Sequence, residues 1–173
     1  MEQAMKDEIQ NSIAGFSLPR YNEIPDVGLY LEQAAKYISG YLSCLGEFAL
    51  TGSMISNYVK KGLIDNPVKK QYSREQIANL IFIAVAKTVM TMEDLRLIMM
   101  LRKKTYTAQR AYDYFREEME NVLPYVFGRK DSLDSLGVDN TDEKTLLRYT
   151  IITVAHKVYL DKFCAALHAE EEG

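Results

Sequence analysis

Along most of this chain, apolar residues recur at steps of three and four, the period of an amphipathic helix. In residues 1–18, Met5, Ile9, Ile13 and Phe16 share one side of a weakly amphipathic arm. The stretch "LPRYNEIPD" follows, and its two prolines enforce extended or turn backbone. From Leu31, the positions Ala34, Ala35, Ile38, Leu42 and Leu45 predict a helix, weakened locally by Gly40. "EFALT" then turns into a short helix within "TGSMISNYVKKGLI", residues 51–64. Ile55, Tyr58, Val59 and Leu63 fall on one side of it, and Ser53, Ser56, Asn57, Lys60 and Lys61 on the other. Gly62 stops it.

The next segment, "LIDNPVKKQY", is irregular, because Pro67 cannot continue a helix. Ser73 and Gln76 form a capping box that opens a helix with Ile77, Leu80, Ile81, Ala84, Val85 and Val89 as its buried stripe. Thr91 opens another, with Asp94 in a first turn where the helix dipole favours an acid. Ala108, Tyr112, Phe115, Met119 and Val122 then alternate steps of four and three. Two heptads are too few to argue a coiled coil, so one face of a bundle helix and an intermolecular seam both fit. "PYVFGRKDSLDSLGVDN" reads as a loop. Thr141 caps a final helix to about Ala169, apolar over so much of its circumference (Leu146, Leu147, Ile151, Ile152, Val154, Val158, Leu160, Phe163) that burial on more than one side is expected.

Composition changes this picture little. The chain has 173 residues, 47% hydrophobic and 26% charged, enough to bury a core in one domain or two small ones. Cys44 and Cys164 fit no zinc or redox spacing and read as small buried apolar residues of a reducing compartment. No apolar run approaches the roughly 20 residues that span a bilayer, so no membrane association is expected. The first residues lack the basic and apolar regions of a signal peptide, which predicts a cytoplasmic protein.

Candidate chemistry is sparse for an enzyme. There are two histidines, no nucleophile–base pair can be proposed, and no glycine-rich phosphate loop occurs. Neither catalysis nor a cofactor is expected. Asp161, Cys164 and His168 would share a helix face with ligand types suited to zinc. That spacing is common by chance, so they read as packing residues and no metal site is expected. Charge says more. Residues 51–74 carry five basic residues and one acid, a net +4 that leaves −7 on the rest of a chain whose total is −3. Such asymmetry suits a polyanion site as well as a solvated charged face. A helix showing Ser, Asn and Lys has the residue types that meet DNA: Asn pairs with adenine, Ser reaches base or phosphate, Lys contacts guanine or backbone. With the helix and tight turn before it, the arrangement is a helix-turn-helix.

"SMISNYVKKGLI" resembles the recognition-helix signature of MerR-type regulators: an apolar residue, polar or aromatic ones, an aromatic, a basic pair, glycine and two aliphatics. The likeness continues through Pro67 and "YSREQIANLIFIAVAKTVMTMEDLRLIM", covering about residues 27–102. With "GLYLEQ" before the helix, the chain is similar to a YkrK-like group of bacterial proteins of unknown function with a MerR-like helix-turn-helix. The resemblance implies a mostly α fold, a winged helix-turn-helix followed by a C-terminal helical domain. It divides the chain into an arm (1–24), a DNA-binding domain (25–104) and a dimerisation or sensing domain (105–173). It further implies a sequence-specific transcriptional regulator that binds double-stranded DNA as a homodimer. The aromatic content of the C-terminal helices fits a pocket for a small-molecule effector and fits core packing equally. Base contacts fall to Ser53, Ser56 and Asn57, and phosphate contacts to Tyr58, Lys60, Lys61, Lys69, Lys70 and Arg74. Ser56 and Asn57 stand where MerR-type proteins commonly place an arginine and an aromatic, and the wing is shortened to "NPVKKQY". The alternative is a helix-turn-helix scaffold used as a protein-interaction module, its basic patch meeting an acidic partner.

Overall fold

The computed structural model describes residues 3–137 and 140–172. Within them the chain is mostly helical. The elements run α1 (Gln3–Asn11), β1 (Leu29–Tyr30), α2 (Leu31–Leu42), α3 (Gly52–Lys60), β2 (Gln71–Tyr72), α4 (Arg74–Ala86), α5 (Met92–Thr105), α6 (Ala108–Val126) and α7 (Asp142–Glu172). β1 and β2 pair antiparallel, Leu29 opposite Tyr72 and Tyr30 opposite Gln71. Among the described residues, no helix is long and apolar enough to cross a membrane.

Helix starts follow side-chain chemistry. The Ser73 hydroxyl accepts the Gln76 amide at 3.3 Å, and the Gln76 side chain accepts the Ser73 amide at 2.9 Å. Thr91 accepts from the Asp94 amide at 3.2 Å, and Thr141 from the Lys144 amide at 3.4 Å. Each bond satisfies an amide that the first helical turn leaves without a partner.

One hydrophobic core runs from Ile9 and Ile13, through Ile24, α2 and α4, to Val154 and Val158 of α7. The arm, the middle and the C-terminal segments therefore share their packing. α4 is its axis, in contact with α2, α6 and α7. Ile77, Ala78, Leu80, Ile81, Ile83, Ala84, Val85 and Ala86 are all buried. That is burial around the circumference, wider than the single stripe expected, and α4 ends at Ala86 so Val89 packs from the turn beyond it. The α6 residues Tyr112, Phe115, Met119 and Val122 are buried in this same core, so their heptad spacing belongs to a bundle face. Phe115 meets Phe82 of α4 edge-on at 5.5 Å. The Tyr112 hydroxyl donates to the Pro19 carbonyl at 3.0 Å, and burial pushes its phenol well above the usual range. The Tyr21 amide donates to Asp113 at 3.0 Å. Together these bonds hold the proline segment against α6.

Two expectations need correction, and a third is met in part. α6 continues through Pro124 to Val126, because Leu123 and Phe127 are buried and hold its last turn on the core. α7 is covered over a broad sector but not all round: Thr150, Ile151, Val154, Ala155 and Val158 are buried, Leu147, Ile152, Tyr159 and Phe163 are half-buried on the core, and Leu146, Tyr149, Leu160 and Leu167 are exposed. The connection from α2 to α3 is no tight turn. It spans Ser43–Thr51, opens with a 3₁₀ turn and reverses at Gly46 with φ 108°. Phe48 and Leu50 of this connection are buried, and Ser39 both donates to and accepts from the Leu50 backbone, so the segment is part of the core.

Candidate nucleic-acid interface

α3 is amphipathic by sequence and by burial. Ile55 and Tyr58 are buried beneath it, while Ser53, Ser56, Asn57, Lys60 and Lys61 are exposed. The Thr51 hydroxyl caps it by accepting the Met54 amide at 3.2 Å. At its first residue, Gly52 sits so close to α2 that a Cβ would run into the Glu32 carboxylate and come within 3.1 Å of Leu31 Cγ. At the far end Gly62 adopts φ 74°, and the Leu63 amide reaches back to the Tyr58 carbonyl at 2.9 Å. This left-handed stop returns the chain to the core at Leu63 and Ile64, both buried. Lys60 and Lys61 are left at the helix C-terminus, where the dipole favours cations.

The chain then makes a tight hairpin. Val68 and Gln71 exchange backbone hydrogen bonds of 3.1 and 2.9 Å, leaving Lys69 and Lys70 as the two-residue tip. Both lysines are left-handed, at φ 50° and 64°. Such a turn favours Asn-Gly, since a Cβ is disfavoured at each position. The strain fixes two exposed ammonium-bearing side chains at the end of a short projection. Replacing them by the favoured pair, Lys69→Asn with Lys70→Gly, should therefore raise stability by about 1–2 kcal/mol. Urea unfolding checks this: the midpoint should rise at unchanged slope, and an unchanged or lower midpoint would show that the turn carries no strain.

Two of the residues expected to touch phosphate are used otherwise. Tyr58 is 4% exposed, burial raises its phenol pKa, and its ring is core, so it cannot reach a phosphate. Lys87, from the end of α4, lies over that ring at 5.9 Å, its own pKa lowered by burial. Arg74 donates to the Ile24 and Asn22 carbonyls at 2.7 and 3.3 Å, pairs with Asp26 at 3.7 Å and stacks on Tyr21 at 5.8 Å. It fastens the segment before β1 to the start of α4. Lys60, Lys61, Lys69 and Lys70 are exposed and in no ion pair among the described residues. They can approach an external anion without breaking an internal contact.

Nothing in "VKKQ" signals a left-handed turn, since the strain lies in the bridge between Val68 and Gln71 and not in a Gly or Asn. Lys87 carried no signal either, because its place under α3 is a product of packing. Cys164 and His168 are exposed, Cys44 is partly buried, and Asp161 pairs with Lys157 at 2.7 Å. The reading of Cys164 and His168 as packed residues is thereby corrected, while Cys44 packs half-buried against the core. Among the described residues, no three His, Cys, Asp or Glu side chains come together as a metal site would require.

Residues 19–115, more than half of the chain, match a family model described as a domain of unknown function (DUF1836). The matched span holds α2 to α5, the hairpin and the first turns of α6. No curated protein and no solved structure matches the chain.

Proposed function

We propose, for a chain that belongs to the DUF1836 family of unknown function, that it is a sequence-specific DNA-binding transcriptional regulator acting as a dimer. In this reading the fold is a MerR-like winged helix-turn-helix, with α2 and α3 as the helix pair and the Lys69–Lys70 hairpin as a reduced wing. One observation carries it: the exposed face of α3 is made of Ser53, Ser56, Asn57, Lys60 and Lys61, and two further exposed lysines stand on the hairpin that follows. Ser53, Ser56 and Asn57 are the base-reading side chains, and Lys60, Lys61, Lys69 and Lys70 hold phosphates. Tyr58 and Arg74 act from beneath by holding α3 and α4 in place.

A single short helix offers too few base contacts for useful specificity, which is the reason to require two half-sites and hence a dimer. The exposed Leu146, Tyr149, Leu160 and Leu167 of α7 are apolar surface available for that contact. The interaction-module reading keeps one supporting observation, the long Ser43–Thr51 connection, which differs from the three- or four-residue turn of a helix-turn-helix.

Affinity for random-sequence duplex DNA, measured against salt, tests the proposal. Four phosphate-bound lysines predict a slope of about −3.6 in log affinity against log salt. The Lys69→Asn/Lys70→Gly variant should lose about 1.8 of it while gaining stability. No retention of DNA at low salt would favour the protein-interaction module.

A further inference from the structure

Where α4, α5, α6 and α7 meet, they leave a cavity of about 540 Å³, a size typical of small-molecule sites. Phe82, Met99, Ala111, Phe115 and Leu147 supply apolar lining. Arg102 and Asn79 supply a polar part, joined by a 3.0 Å hydrogen bond from the Arg102 guanidinium to Asn79 Oδ1.

Arg102 is the unusual group. It is partly buried, and among the described residues no carboxylate stands within ion-pair distance of it. Burial lowers its pKa, with Glu75 and Tyr21 opposing that through space. Asn79 takes one of its N–H groups, and the guanidinium nitrogens are not among the buried unpartnered atoms of the described residues, so the remaining N–H groups reach solvent from the cavity wall and can donate to an entering anion. Among the described residues, the acids that line the same cavity already hold partners. Asp113 accepts the Tyr21 amide at 3.0 Å, Glu117 pairs with Arg116 at 3.4 Å, and Glu143 accepts the Thr105 hydroxyl. The other lining cations, Arg110 and Lys144, lie over the rings of Tyr106 and Tyr114 at 5.6 and 4.7 Å.

We infer that this cavity binds an amphipathic monocarboxylate, its apolar body among Phe82, Met99, Phe115 and Leu147 and its carboxylate on the free N–H groups of Arg102. The planar guanidinium fork matches a carboxylate in two parallel hydrogen bonds. A dianion suits the site less well, because among the described residues the carboxylates of Asp113, Glu117 and Glu143 share the lining. This site stands whether or not the lysines of α3 and the hairpin meet DNA, since it uses none of them.

Calorimetric titration of the full chain with phenylbutyrate, indoleacetate and decanoate, beside the matching amides and amines, tests it. At least one acid should bind, and its amide should bind roughly ten- to a hundred-fold more weakly, the loss expected when a charged hydrogen bond goes. Arg102→Met keeps the apolar stem and should lose the acid by the same factor, while Arg102→Lys should retain part of it. Ala111→Phe, which fills the cavity without touching charge, should abolish binding and decides the matter if Arg102→Met does not fold. No binding by any acid, an amide or amine that binds as well, or acid binding unchanged in Arg102→Met or in Ala111→Phe overturns the inference.

Discussion

Reversing Lys60, Lys61, Lys69 and Lys70 to glutamate together should abolish binding to duplex DNA and leave the fold intact. All four side chains are exposed and hold no ion pair among the described residues. Substitutions at such positions usually change stability by no more than about 0.5 kcal/mol each. Their effect on DNA is far larger, because each neutralised phosphate releases counterions and adds about 0.9 to the salt slope. Four contacts make wild-type affinity fall roughly a hundred-fold between 50 and 200 mM salt. The reversed protein repels the backbone and should show no retention at either concentration. Reversing one pair at a time separates the two parts of the surface, with Lys60 and Lys61 reporting on α3 and Lys69 and Lys70 on the hairpin. A slope unchanged by Lys60→Glu/Lys61→Glu would place any DNA contact away from α3.

Arg148→Met should destabilise the protein by about 3–5 kcal/mol, the cost of leaving a buried carboxylate without its cation. Glu118 on α6 is 0% exposed, and its Oε1 accepts from Arg148 Nε of α7 at 2.9 Å and from Asn121 Nδ2 at 3.3 Å. Its other oxygen, Oε2, is buried with no hydrogen-bond partner among the described residues, so the neutral Asn121 amide is left to hold the charge when Arg148 goes. Arg148 also donates to the Asp134 carbonyl at 2.5 Å, and Asn121 to the same carbonyl at 3.1 Å. Lys130 reaches Asn121 Oδ1 at 2.6 Å, so the network ties the end of α6, the following segment and α7 together. The double variant Glu118→Met/Arg148→Met removes both charges and should recover most of the loss, since apolar pairs of similar volume often match a buried ion pair. Chemical denaturation of the three variants reads this. A loss below about 1 kcal/mol in Arg148→Met would mean that water reaches Glu118 and the pair is not buried in solution. Because this network is remote in sequence from α3 and the hairpin, the double variant should keep wild-type DNA affinity.

Short-range chemistry made much of this fold legible in the sequence. Ser73 with Gln76, Thr91 before Asp94, Thr141, and Gly62 each act within a turn or two, and their hydrogen bonds form where those residues stand. The polar face of α3 was legible for the same reason, as a period of one helix. What depends on distant neighbours was not. Tyr58 and Arg74 have the residue types of DNA contacts, but the packing against Lys87 and the carbonyls of Asn22 and Ile24 claims them. α7 is apolar around much of its circumference and packs against α1, α4, α5 and α6, yet Leu146, Tyr149, Leu160 and Leu167 stay exposed in one chain. The Glu118–Arg148 pair spans 30 residues of sequence, and no periodicity marks it. The tip lysines were found as charge, and their left-handed backbone only as structure.

Selection of bound fragments from random duplex DNA by the purified full chain tests the central claim most directly. The account predicts an enriched palindromic motif, its half-sites spaced by about one helical turn or a multiple of it. It also predicts that Asn57→Ala relaxes the preference at one position in each half-site while the salt slope stays unchanged. A pool that remains random after repeated rounds would contradict sequence reading by α3.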